Sequence, residues 1–158
     1  MDFNWTDEQE IWRKTVRDFA QKKIKPKIRD IDTNKKIPED IIKSMAQLGL
    51  LAPTASQKYG GAGVDWIMAA IAAEELGRAD ISLAIPVLYL VEAAWGFIFS
   101  RYGKEEAKKK YLSKVTSGEA FCGIAVTEPE GGSDIVAAGK TKAERKGKNW
   151  ILNGVNYV

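Results

Sequence analysis

Phe121-Cys122-Gly123-Ile124-Ala125-Val126-Thr127-Glu128-Pro129-Glu130-Gly131-Gly132-Ser133-Asp134 is the stretch in which the pattern of this chain changes. Its apolar first half, 121–126, predicts a buried strand. Pro129, Gly131 and Gly132 then predict a turn. The strand delivers the Thr127 hydroxyl into that turn, and Ser133 and Asp134 follow beside main-chain N–H groups. Such a turn can hold an electron-rich planar ligand or a phosphate by backbone donors.

On the N-terminal side of this stretch the period is helical. Thr6-Asp7-Glu8-Gln9 is a capping box that opens a helix with Trp12, Val16, Phe19 and Ala20 on one face, predicted to stop at Pro26. Pro38-Glu39-Asp40 opens a second helix carrying Ile41, Ile42, Met45 and Leu48, with Gly49 as its stop. Asp65 caps a third, predicted to end at Gly77. Asp80 is a candidate cap for an apolar fourth helix that Tyr102-Gly103 breaks. Lys104 to Thr116 forms a fifth, with Tyr111, Leu112 and Val115 on its apolar face.

On the C-terminal side, Thr141 to Arg145 and Asn149 to Leu152 bracket the turn Lys146-Gly147-Lys148. Asn153-Gly154 is a two-residue hairpin signal leading into Val155-Asn156-Tyr157-Val158. The expected fold is therefore α+β: an all-helical domain of about five helices over residues 1–119, then the first antiparallel strands of a second domain over 120–158. The chain ends inside a predicted strand, which fits either an incomplete sheet or a small α+β domain with a short terminal strand.

Composition narrows the chemistry. The 158 residues carry a net charge of +3 and contain no histidine, which excludes Ser-His and Cys-His nucleophilic schemes and histidine-based metal sites. No metal ligand set and no catalytic residue stand out. The basic clusters Lys22-Lys23-Lys25-Pro26-Lys27 and Lys108-Lys109-Lys110 lack interleaved aromatic residues, which argues against a nucleic-acid interface. A lone cysteine, Cys122, rules out a disulfide within the chain and suits a reducing, cytoplasmic setting. Met1-Asp2-Phe3 is acidic and has no signal-peptide character. Ile81 to Ser100 is long enough to span a bilayer. Glu92 in its middle and Pro86 favour a buried central helix with no membrane span.

Several stretches together resemble the N-terminal part of the acyl-CoA dehydrogenase family of flavoenzymes. They are Tyr59-Gly60-Gly61-Ala62-Gly63, Glu74-Glu75-Leu76-Gly77-Arg78-Ala79-Asp80, Tyr102-Gly103 with Lys110-Tyr111-Leu112, Thr127-Glu128-Pro129, Gly132-Ser133-Asp134, Lys140-Thr141-Lys142-Ala143 and Asn153-Gly154. They occur in the family's order and cover nearly the whole chain. The resemblance implies an all-helical first domain, the start of a β-barrel-like middle domain, and FAD as cofactor. It implies an oxidoreductase of fatty acid metabolism that converts acyl-CoA thioesters to trans-2-enoyl-CoA. In the family a glutamate takes the α-proton and the β-hydrogen leaves as hydride to flavin N5.

Carried over by position, Ile124, Ala125, Val126, Thr127, Gly132 and Ser133 are the expected flavin contacts. Thr127 faces the polar edge of the isoalloxazine, or merely caps the strand end. Ser133 touches the acyl-CoA as well as the cofactor's phosphate region, or is simply a turn serine. The flanking glycines Gly131 and Gly132 allow close approach. Glu128 has a structural part in the motif. In the fourth helix Leu88, Tyr89 and Trp95 are expected to limit acyl-chain length if that helix lines the acyl cavity, core packing being the other reading.

Two positions depart from the family pattern: Ile124 stands where an aromatic residue is frequent, and Val158 where a tryptophan begins the next flavin segment. The catalytic glutamate and the last helical bundle belong to family sequence beyond Val158, so the chain alone is expected to be inactive. Expected partners are the acyl-CoA substrate, a C-terminal portion or partner chain, further copies in a tetramer-like homo-oligomer, and electron-transfer flavoprotein or a similar acceptor. The alternatives are a non-catalytic helical scaffold or interaction module derived from this family, or part of a related acyl-CoA oxidase.

Overall fold

The computed structural model describes residues 4–134 and 139–157. The chain divides into two compact units, Met1–Cys122 and Gly123–Val158. The sequence expectations at Met1-Asp2-Phe3 and at Val158 lie outside the described residues.

Among the described residues, the first unit holds five helical bodies and a short 3-10 turn, Gln57–Tyr59. The first begins at α1 (Asp7–Phe19), where the capping box forms in full: the Gln9 N–H donates to Thr6 Oγ1 at 3.2 Å and the Thr6 N–H to Gln9 Oε1 at 3.0 Å. It does not stop at Pro26. The backbone widens into a π-helical turn over Ala20–Ile24, tightens into a 3-10 turn over Lys25–Lys27, and continues as α2 (Ile28–Asn34). Pro26 sits within the first two positions of the tight turn, where its missing N–H is tolerated, so the helical path changes its winding there without ending. Lys35, left-handed at φ 50°, terminates α2.

The second body, α3 (Glu39–Gln47), follows Pro38 as expected, and Gly49 at φ 71° turns the chain away. In the third, α4 (Trp66–Ala79), the Asp65 carboxylate accepts the Met68 N–H at 2.8 Å. Gly77 does not end α4, which runs on to Ala79 because a glycine in helical conformation continues the ladder. The fourth body, α5 (Ala84–Tyr102), is capped from a distance. Buried Asp80 accepts the Ile85 N–H at 2.8 Å and the Ser82 N–H at 2.9 Å. The fifth runs from α6 (Glu105–Ala107) through a π-helical turn, Lys108–Leu112, into α7 (Ser113–Thr116). Leu112 and Val115 on it are buried, while Tyr111 is about half exposed at 46%.

The core joins Val16, Phe19 and Ile24 of the first body to Ile41 and Met45 of α3, Ala72 and Leu76 of α4, and Ile85 and Tyr89 of α5. Two polar contacts fix how these helices meet. The Arg17 guanidinium grips Glu75 with bonds of 2.9 and 2.6 Å, holding a carboxyl that is 2% exposed below its ordinary range, and the Trp12 indole N–H donates to the Met68 carbonyl at 2.8 Å. Helix α5 is long and apolar enough to cross a bilayer by length and composition. Ile85, Tyr89, Glu92, Ala93 and Gly96 on it are nonetheless buried within the helical unit.

Among its described residues the second unit contains one antiparallel hairpin, β1 (Lys142–Lys146) with β2 (Asn149–Asn153), in the register Lys142↔Asn153 to Lys146↔Asn149. Gly147 at φ 62° opens its two-residue turn. The strand expected over 121–126 is absent: this segment forms no helix or strand and pairs with no strand among the described residues, and Phe121, Ile124 and Ala125 are exposed, not buried. A run of apolar residues becomes a strand only where a neighbour completes the ladder, and none among the described residues does so. Asn153-Gly154 is likewise not a primed hairpin turn, since neither residue has positive φ. Gly154 is needed for another reason: a Cβ there would lie 2.0 Å from Thr141 Oγ1.

Two substitutions test this packing. A Cβ at Gly96 would meet Ala52 Cβ at 2.6 Å and the Ala52 backbone at 3.1 Å. Gly96→Ala is therefore expected to lower stability by about 1–3 kcal/mol through overpacking. Leu76→Ala, at a fully buried position, is expected to cost about 2–5 kcal/mol. Urea denaturation of the two variants checks both; an unchanged midpoint for either contradicts the packing described.

Candidate functional site

The Thr127–Ser133 turn is built around one carboxylate. Glu128 is 8% exposed, and its side chain accepts the Lys140 N–H at 2.5 Å and the Thr141 N–H at 2.9 Å. Its main chain makes a reciprocal bridge with Gly131, Gly131 N–H to Glu128 O at 3.1 Å and Glu128 N–H to Gly131 O at 3.3 Å. Glu130 pairs with the Lys140 ammonium at 3.2 Å. Hydrogen bonding from Thr141, then from the Lys140 and Thr141 amides, holds the Glu128 carboxyl below its ordinary range. A carboxylate occupied in this way is a clamp and not a free base, in keeping with the structural part expected for it.

The clamp ties the turn to the start of β1, and Tyr157 donates its N–H to the Thr127 carbonyl at 2.8 Å. On the N-terminal side, Ile124, Ala125, Val126 and Thr127 belong to no helix or strand, and their own N–H groups donate to nothing among the described residues. Ile124, Ala125, Thr127, Gly132 and Ser133 are exposed, and Val126 is partly buried. A Cβ at Gly132 would meet no atom within 4 Å, so space within the chain does not require a glycine there. Thr127 and Ser133 thus flank the Glu128–Gly131 bridge with both hydroxyls accessible. Among the described residues no group of His, Cys, Asp and Glu is arranged to hold a metal ion.

Of the residues expected to line an acyl cavity on the fourth helix, Tyr89 does not. It is fully buried against α4, its hydroxyl donating to the Ala69 carbonyl at 2.9 Å, and burial pushes its phenol well above the ordinary range. The aromatic ring enters the core because its hydroxyl finds a partner there. Trp95 is partly buried, and Leu88 borders a cleft of about 420 Å³ with Ile37, Ile42 and Phe121. The outward stripe of α5 consists instead of Val87, Leu90 and Ile98.

One residue of consequence was legible only as an oddity. Glu92, the single carboxylate of the apolar fourth helix, is fully buried, and its Oε1 accepts the N–H of Cys122 at 2.9 Å. It anchors the chain at the last residue of the helical unit. A lone charge in an apolar helix was the available signal; its partner 30 residues away was not.

Comparison with known proteins extends this picture. Residues 6–119 match the family model for the acyl-CoA dehydrogenase N-terminal domain. The chain is 38% identical to a glutaryl-CoA dehydrogenase of Desulfococcus multivorans over 157 residues, covering 98% of this chain and 40% of that protein. The structure of a glutaryl-coenzyme A dehydrogenase–glutaryl-CoA complex superimposes with a TM-score of 0.89 at 38% identity, covering 98% of this chain and 39% of the other. A glutaryl-CoA dehydrogenase of Mycobacterium smegmatis in complex with FADH2 superimposes with a TM-score of 0.85 at 30% identity, covering 95% and 38% respectively. The chain thus spans about 40% of the length of the relatives it matches. Helical bodies, glycine-rich loop, clamped Thr-Glu-Pro turn and matched family model converge on one conclusion: the chain belongs to the acyl-CoA dehydrogenase family.

Proposed function

We propose that this chain forms the helical domain and the opening strands of the middle domain of an FAD-dependent acyl-CoA dehydrogenase acting across the α and β carbons of an acyl-CoA thioester. The observation that carries this reading is the Glu128 clamp. It presents four consecutive main-chain N–H groups, from Ile124 to Thr127, with no acceptor among the described residues, beside the exposed hydroxyls of Thr127 and Ser133. A flavin needs donors along the polar edge of its ring and room for its body. The free N–H groups and the open space at Gly132 fit both needs.

When bound, FAD supplies the hydride acceptor. The chain's own residues bind and orient. Thr127, by its hydroxyl and N–H, would hold the polar edge of the ring and supply donors to charge there. Ile124, Ala125, Val126 and Gly132 contribute main-chain contacts, and the Ser133 hydroxyl reaches both acyl-CoA and the phosphate region. The base that removes the α-proton comes, in this reading, from a C-terminal portion or a partner chain, and the 158 residues alone do not turn over. A homotetramer-like assembly and an electron-transfer flavoprotein as acceptor complete the reading by family resemblance, and the lone Cys122 suits a cytoplasmic setting.

Adding FAD to the purified chain is expected to give weak or no retained visible absorbance. Supplying the C-terminal portion of a glutaryl-CoA dehydrogenase relative is expected to yield a yellow complex that bleaches with a panel of acyl-CoAs. A completed complex that binds FAD yet bleaches with none of them refutes the dehydrogenase reading. In that complex Thr127→Val is expected to weaken FAD binding about tenfold, the worth of one hydrogen bond to a polarised group, as measured by fluorescence titration.

The clamp has a pH signature of its own. Since the folded-state pKa of Glu128 lies below the unfolded one, its stabilisation is present above the unfolded value and is lost as pH falls through the folded value. Protection of the Lys140 and Thr141 amides, corrected for intrinsic base catalysis, is therefore expected to fall on acidification, and Glu128→Gln is expected to remove that dependence.

A further inference from the structure

Helix α5 is apolar along almost its whole length, and its buried positions Ile85, Tyr89, Ala93 and Gly96 pack as such a helix should. Glu92 lies on the same inward side, fully buried. Its two oxygens are in different situations. Oε1 accepts the Cys122 N–H at 2.9 Å, whereas Oε2 is buried without a hydrogen-bond partner among the described residues. An ionised carboxylate left half-satisfied in an apolar interior is costly, while the protonated acid keeps its acceptor oxygen and sheds the charge.

Neighbouring contacts narrow what the arrangement does. The next residue, Ala93, accepts the Thr54 hydroxyl with its carbonyl at 2.7 Å, and Gly96 admits Ala52 against the helix. This part of α5 therefore holds two passing segments, the 52–54 loop by packing and a hydroxyl, and Cys122 by a carboxyl. After Cys122 the second unit begins with Gly123 and Ile124.

We propose that Glu92 is a positioning residue, a protonation-dependent latch whose carboxyl holds the chain at Cys122, the last residue of the helical unit. The latch lies wholly within the helical unit and does not rest on the function proposed above.

Burial raises the Glu92 carboxyl from its ordinary 4.5 to about 7, against a smaller opposing pull from the Cys122 N–H. Among the described residues no cation offsets the burial. On the elements packed against α5, Glu75 pairs with Arg17, Glu74 with Arg78 and Lys108 with Glu105, while Lys109 and Lys110 of the 108–112 turn are exposed to solvent. Asp80 is spent on the α5 cap. The Cys122 thiol, the titratable group that feels Glu92 directly, is pushed up to about 11 by burial and then by the carboxylate, so it stays neutral through the relevant range. The direction follows from linkage. Between the unfolded value and about 7 the folded chain keeps a proton that the unfolded chain has lost. Stability from this group is full below the unfolded value, declines as pH rises through the window and levels off above it. Rising pH therefore loosens the latch, because the bare Oε2 gains by opening to water.

The test uses the full chain and needs no flavin. Amide exchange at Cys122, corrected for intrinsic base catalysis, and the unfolding equilibrium are followed from mildly acidic to mildly alkaline pH for wild type, Glu92→Gln and Glu92→Leu. Glutamine keeps the acceptor for the Cys122 N–H and cannot ionise; leucine keeps the bulk and removes the acceptor. Wild-type Cys122 protection is expected to fall at least tenfold, about one pH unit's worth of linkage, as pH rises through the window. The ratio of wild-type to Glu92→Gln unfolding constants is expected to rise on the order of a hundredfold over the same range. Glu92→Gln is expected to stay protected throughout, and Glu92→Leu to exchange freely at Cys122 at every pH.

A wild-type Cys122 profile that parallels Glu92→Gln overturns the proposal, as does a Glu92→Leu chain that keeps Cys122 protected. Should the leucine variant fail to fold, the comparison of wild type with glutamine still decides. A chain that never binds FAD can pass this test, and one that binds FAD can fail it, so the two readings fall separately.

Discussion

The helical unit depends on α4 being held between α1 and α5. Its buried face alternates small and large side chains, Ala69, Ala72 and Ala79 with Ile71 and Leu76, which lets both neighbours approach closely. Each neighbour is then secured by a polar bond that only this arrangement satisfies. On one side Arg17 and Trp12 of α1 reach Glu75 and the Met68 carbonyl; on the other the Tyr89 hydroxyl of α5 reaches the Ala69 carbonyl. Displacing α4 would leave a buried carboxylate and a buried phenol without partners, penalties larger than the loss of any single apolar contact. Because α5 is fixed in this way, the 52–54 loop and Cys122 that lean on it are fixed as well.

The second unit is organised by different physics. Every residue of its hairpin is exposed, and Trp150, Leu152 and Tyr157 present large apolar surfaces. What order it has in the Thr127–Ser133 turn comes from a carboxylate gathering main-chain N–H groups, not from a core. This is an economical way to shape a binding loop: one side chain satisfies the amides at the start of β1 and leaves the donors of Ile124–Thr127 directed to no partner of their own.

Much of the helical unit was legible because its signals are local. Thr6 with Gln9, Asp65 with Met68 and Gly49 after α3 are decided within a few residues, where side chain and main chain of neighbouring positions meet regardless of the rest of the fold. The errors share a cause. Pro26 and Gly77 carry breaker propensity, yet a change of winding and a continued ladder were cheaper than a stop once both ends were packed. The apolar run 121–126 had the composition of a strand, but strands are made by neighbours, and apolar content does not reveal whether a neighbour exists. Asn153-Gly154 has the composition of a turn; its glycine answers a steric demand from Thr141, which no local rule contains.

The candidate site divides along the same line. The sequence by itself determined which residues could act there, since hydroxyls, glycines and a proline at that spacing define what the loop can bind, and the ordered motifs identify the family. Tertiary structure alone decided which carboxylates are structural and which side of α5 faces inward. Glu128 meets amides 12 and 13 residues on, and Glu92 meets one 30 residues on. Whether a carboxylate is a clamp, a latch or a free base depends on how far water is excluded and which N–H groups arrive. Both are consequences of packing, and packing brings together residues that the linear chain keeps apart.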